Sequence, residues 1–131
     1  MEDEKEHGVR AHLNFGHTFA HAIEATAGYG QILHGEAVAL GMLAATRASV
    51  EAGLCEGAVL DSLEALLGAF GLPTSSDLPE TAILEEAMRH DKKVIDDRIR
   101  LILPEALGCI VIRDDLSATC VRTGWDHIRQ R

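Results

Sequence analysis

Apolar residues recur at helical spacing along most of this chain, and the breaks between the runs divide it into five predicted helices and one predicted strand pair. The first helix is expected over residues 13–27. A Gly-Tyr-Gly break at 28–30 follows, and then a second helix over residues 35–52. Here Val38, Leu40, Met42 and Leu43 alternate with small residues such as Ala39, Gly41, Ala44 and Ala48, a pattern that predicts burial on most sides and close helix contact. Gly53 supplies a C-terminal stop. A third helix over 57–70 carries Val59, Leu60, Leu63, Leu66, Leu67 and Phe70 at helical spacing, and Gly71-Leu72-Pro73 closes it. After a turn-rich link at 74–79, a fourth helix over 80–90 should turn Ile83, Leu84, Ala87 and Met88 inward. Alternation at 98–104 and a β-branched run at 109–112 read as a short two-stranded hairpin. The last helix, 116–130, carries Val121, Trp125 and Ile128. The expected architecture is mainly α, a multi-helical domain with a small hairpin.

At 131 residues the chain has the length of one domain. Hydrophobic residues at 47% and charged ones at 25% suit a soluble globular protein, and no apolar run approaches the length of a membrane span. Glu-Asp-Glu-Lys-Glu after Met1 is not a secretory signal, and Cys55, Cys109 and Cys120 are widely spaced, so the expectation is a cytoplasmic protein with reduced thiols. The net charge of -9 argues against nonspecific nucleic-acid binding, because a run of phosphates would meet no matching basic surface. Residues 1–9 are strongly charged and would fray as an isolated terminus.

Candidate chemistry is concentrated between Arg10 and Met42, which hold His12, His17, His21 and His34, four of the seven histidines. His17, His21 and Glu24 fall at i, i+4 and i+7 and share one face of the first helix. His34-Gly35-Glu36 stands where the second helix begins, able to fold back toward that face. Two or three imidazoles with a carboxylate form the ligand set of a catalytic zinc site with an open position. A histidine pair at this spacing is also met as a partly buried structural pair, and the spacing leaves both readings open.

The motifs are more specific than the spacing. The run Gly8-Val9-Arg10, Leu13-Asn14-Phe15-Gly16-His17-Thr18, His21-Ala22-Ile23-Glu24, Gly28-Tyr29-Gly30 and His34-Gly35-Glu36-Ala37 resembles the C-terminal half of the 3-dehydroquinate synthase family of sugar phosphate cyclases. Asp91-Lys92-Lys93-Val94 and Arg100-Leu101-Ile102-Leu103-Pro104 extend the resemblance over essentially the whole chain, in the same order. Ala20 departs from the glycine that many family members carry there.

That resemblance implies a role for each matching position. His17 and His34 match the two histidine ligands of a divalent metal, zinc or cobalt, while His21 matches the acid-base histidine. Glu6 matches a glutamate of proton transfer. Arg10 and Asn14 match substrate-binding residues, as does one lysine of the Lys92-Lys93 pair, with Lys93 preferred. Taken alone, Glu6 and the lysines have an ordinary reading as solvated or helix-end charges, and Arg10 and Asn14 as surface residues. The implied reaction converts 3-deoxy-D-arabino-heptulosonate 7-phosphate to 3-dehydroquinate and phosphate, a lyase step of the shikimate pathway that uses bound NAD.

No βαβ pattern or glycine-rich phosphate loop is present, so the NAD-binding N-terminal domain and its glutamate ligand are expected outside these residues, with 1–131 forming the C-terminal domain. Such a domain alone is expected to be inactive, and the family's full-length proteins are expected to be homodimers. Three alternatives stand beside this one. They are another cyclase making aminocyclitol precursors, an iron-dependent alcohol dehydrogenase relative, and a non-catalytic metal-binding or interaction module.

Overall fold

The computed structural model describes residues 16–27, 32–89, 94–95, 98–99, 101–106, 109–113 and 116–129, with side chains in 16–27, 32–89 and 116–129. Among these residues the protein is mainly helical. Helix α1 spans His17–Ala27, α2 His34–Glu51, α3 Gly57–Ala69, α4 Thr81–Arg89 and α5 Ala118–Ile128. Between α4 and α5 the backbone forms two antiparallel strand pairs, β1 (Val94–Ile95) with β2 (Arg98–Ile99) and β3 (Leu101–Ala106) with β4 (Cys109–Arg113).

Helix α2 is the hub. Helices α1, α3 and α5 and strand β3 all lie against it. Its buried positions run right round the cylinder, including Leu40, Gly41, Leu43, Ala44, Thr46 and Ala48. The small residues make this possible, since a helix surrounded on all sides must let backbones come near. An added Cβ on Gly41 would lie 2.5 Å from the carbonyl oxygen of Gly16, and one on Gly124 of α5 would lie 2.5 Å from the carbonyl oxygen of Ala44. No real Cβ fits at either distance, so both glycines are steric requirements of the packing.

Core side chains follow the same arrangement. Phe19 of α1 and Trp125 of α5 meet edge to face, with ring centroids 4.9 Å apart, and neither is exposed. The indole Nε1 of Trp125 finds no acceptor among the described residues. Ser117 caps α5, its hydroxyl accepting from the Cys120 amide at 3.3 Å. At the other end of α5, Arg129 donates from Nη1 to the Leu78 carbonyl and from Nη2 to Thr81 Oγ1, both at 2.9 Å. This arginine ties the irregular 72–80 segment and the start of α4 to the end of α5.

Helices α3 and α4 are buried on narrower stripes than the apolar pattern suggests. On α3, Leu60, Leu63 and Leu67 are buried while Leu66 is 53% and Phe70 74% exposed. On α4, Leu84 and Met88 are fully buried, but Ile83, expected inward, is 49% exposed. The reason is geometric. A peripheral helix with one main helical neighbour, α2 for α3 and α1 for α4, covers one stripe at i, i+3/i+4 and i+7, and an apolar residue one position round the helix stays in water. Cys55 is buried, its Sγ donating to the Glu56 carbonyl at 3.7 Å, and Cys120 is partly buried. Among the described residues no helix is long and apolar enough to cross a membrane.

Candidate metal and proton-transfer site

The site grows out of the way α1 and α2 are held. Gly16 precedes α1 with φ of 78°, a left-handed conformation that an L side chain adopts only at a cost. An added Cβ there would also lie 2.7 Å from the backbone of Gly41 and Met42. The start of α1 is thereby pressed against the middle of α2. Ten residues of sequence separate Glu24 from His34, yet their side chains touch. With Gly16 beside Gly41 and Glu24 beside His34, the helices run antiparallel, and His34 at the first position of α2 comes level with the second turn of α1.

Three histidines are thus carried by one helix pair. The His17 and His21 rings, one turn apart on a helix face, lie with centroids 4.5 Å apart and planes tilted by 39°. His17 is half-buried and His21 exposed. His34 is 66% exposed, and its Nδ1 lies 2.9 Å from Oε2 of Glu24, itself 34% exposed. At that distance the imidazole N–H donates to a carboxylate oxygen. Two residues further along α2, Glu36 Oε1 accepts from the Leu33 amide at 3.0 Å, so the third position of the helix caps its own first turn.

Among the described residues no three histidine, cysteine, aspartate or glutamate side chains converge as a metal ion requires. The donors present suit half of such a site, since His17 and His34 offer imidazole nitrogens from adjoining helices and zinc or cobalt binds imidazole well. A further ligand would have to come from elsewhere. Glu6, Arg10, Asn14, Lys92 and Lys93 lie outside the described residues.

The pairing of Glu24 with His34 was not anticipated from sequence. A signal did exist, because Glu24 shares the face of His17 and His21, and a carboxylate at i+7 from one histidine can reach a helix start that folds back. What sequence lacks is the turn that decides whether it does.

The fold is of the class seen in solved sugar phosphate cyclases. The structure superposes with a TM-score of 0.76 on a 2-deoxy-scyllo-inosose synthase solved with carbaglucose-6-phosphate, NAD+ and Co2+, at 23% identity over 93% of this chain and 36% of that one. A 2-epi-5-epi-valiolone synthase from Streptomyces hygroscopicus, solved with NAD+ and Zn2+, gives 0.74 at 24% identity over 86% of this chain and 31% of that one. Within that class the sequence is more specific. Residues 1–94 match the family model of the 3-dehydroquinate synthase C-terminal region. A 3-dehydroquinate synthase of Streptococcus pneumoniae is 44% identical over 112 residues, which cover 86% of this chain and 32% of the relative. The chain belongs to the 3-dehydroquinate synthase family. It spans about a third of the length of the curated relatives it matches.

Proposed function

We propose that this chain is the metal- and substrate-binding C-terminal domain, residues 1–131, of a cytoplasmic 3-dehydroquinate synthase. The full-length enzyme would convert 3-deoxy-D-arabino-heptulosonate 7-phosphate to 3-dehydroquinate and phosphate as a homodimer. The observation that carries this reading is the match of residues 1–94 to the family model, which takes in every proposed site residue. An N-terminal domain would supply the NAD site and a third metal ligand. The β3–β4 hairpin after α4 belongs to the same domain.

In this reading His17 and His34 hold the cation from two antiparallel helices. When bound, the cation would polarise a substrate hydroxyl whose carbon gives up hydride to NAD. His21, exposed on α1 beside His17, moves the proton that hydroxyl loses. Arg10 presents a planar fork of donors to the anionic substrate, Asn14 adds a neutral amide, and Lys93 or Lys92 a compact positive charge. Glu6 takes part in proton transfer. The solved cyclases at 23% and 24% identity share the fold, whereas the relatives at 44% are dehydroquinate synthases, which favours the seven-carbon substrate over an aminocyclitol precursor.

The test is phosphate release from 3-deoxy-D-arabino-heptulosonate 7-phosphate with NAD and zinc, comparing this chain, the chain mixed with a separately produced N-terminal domain, and the same mixture carrying His21→Ala. Release is expected in the mixture, with little or none from the chain alone and a loss of roughly 100-fold or more in the variant. Silence in every tube, with both parts folded and associated, would sink the assignment in favour of a binding module.

A further inference from the structure

We propose that Glu24 is a positioning residue: by accepting the hydrogen bond from His34 Nδ1 it fixes the tautomer and plane of that imidazole, leaving Nε2 as the metal-binding nitrogen. This rests on the reading of His34 as a metal ligand. A carboxylate can only accept, so the 2.9 Å contact requires the proton on Nδ1. A neutral imidazole carries one N–H, and Nε2 then presents a lone pair.

The contact is well placed to impose this. It joins two helices whose spacing has no slack, because the backbones of Gly16 and Gly41 are already too close to admit a methyl group between them. The backbone at the root of His34 is held as well, by the Glu36 carboxylate on the Leu33 amide. With helix pair and helix start both fixed, the ring is the remaining freedom, and Glu24 removes it. A partly exposed imidazole and carboxylate pair contributes little to stability in water, so the consequence falls on ring orientation rather than on folding. Loss of such a carboxylate partner typically weakens metal binding by roughly 10- to 100-fold.

The experiment uses this chain with nitrogen-15 histidine, wild type and as Glu24→Ala, Glu24→Gln and His34→Ala. The imidazole nitrogen shifts are read at a pH where the rings are neutral, and zinc affinity is measured by competition with a chromophoric chelator after the separately produced N-terminal domain has been added. In the wild type His34 should carry its proton on Nδ1. Glu24→Ala should move it toward Nε2 and weaken zinc by roughly 10- to 100-fold, with an unchanged urea midpoint. Glu24→Gln, whose amide can donate or accept, should fall between. An unchanged tautomer in Glu24→Ala overturns the proposal, as does unchanged zinc affinity there when His34→Ala has lost it. If His34→Ala leaves zinc binding unaltered, or the wild type takes up none with the N-terminal domain supplied, it is the metal reading that fails, and the nitrogen shifts still decide whether Glu24 orients the ring.

Discussion

Replacing Gly41 by alanine puts one methyl group where α1 and α2 have no room for it. The new Cβ would lie 2.5 Å from the Gly16 carbonyl oxygen, 2.8 Å from the Ala20 amide nitrogen and 3.0 Å from the Ala20 Cβ. Ordinary contact begins at 3.4 Å, so the helices must part by roughly 0.9 Å. The nearest colliding atoms are backbone, and no rotamer change relieves them. Overpacking costs about 1–3 kcal/mol, and a collision with backbone belongs at the upper end. Alanine in place of glycine in a helix interior returns about 1 kcal/mol, leaving a net loss of about 2 kcal/mol. Gly68→Ala is the control. It sits on the exposed side of α3 with nothing within 4 Å of its added Cβ, so it should gain up to about 1 kcal/mol. Urea unfolding followed by the emission of Trp125, the single tryptophan, reads both variants from inside the core. With a slope of about 1–3 kcal/mol per molar, Gly41→Ala should lower the midpoint by about 1 M. A midpoint for Gly41→Ala equal to or above that of the wild type would refute the close approach of α1 and α2, and with it the placement of His17 and His34.

Leu84→Ala removes a fully buried side chain of α4 and should cost about 2–5 kcal/mol in the same unfolding assay. Ile83→Lys, one residue earlier but half-exposed, should stay within about 0.5 kcal/mol of wild type, and a loss like that of Leu84→Ala would mean that α4 is rotated from its described setting. Arg129→Met breaks both hydrogen bonds from the guanidinium and should cost about 1–3 kcal/mol, with faster amide exchange at Ser76 and Leu84. Phe70→Ser should leave the stability within about 0.5 kcal/mol of wild type, since the Phe70 side chain is 74% exposed, and reduce any self-association seen by light scattering.

The helices were legible in the chain because each carries its own signals. Glycine stops with positive φ stand at Gly53 and Gly71; α5 buries Val121, Trp125 and Ile128 as its spacing predicts, and α2 buries Leu40 and Leu43 but leaves Val38 and Met42 partly exposed. The small residues of α2 also announced close contact, and Gly41 and Gly124 are where it occurs. The histidine face of α1 was equally plain, because a fixed period of 3.6 residues places His17, His21 and Glu24 without reference to anything distant.

Tertiary structure decided what periodicity leaves open. Leu66, Phe70 and Ile83 match an apolar helical pattern as well as their buried neighbours do. Their exposure depends on how many helices surround α3 and α4, which no local period encodes. The partnership of Glu24 with His34 likewise depends on the angle at which the chain returns after α1. That angle is set by two glycines letting the backbones of α1 and α2 meet, a property of the packed pair and of neither helix by itself.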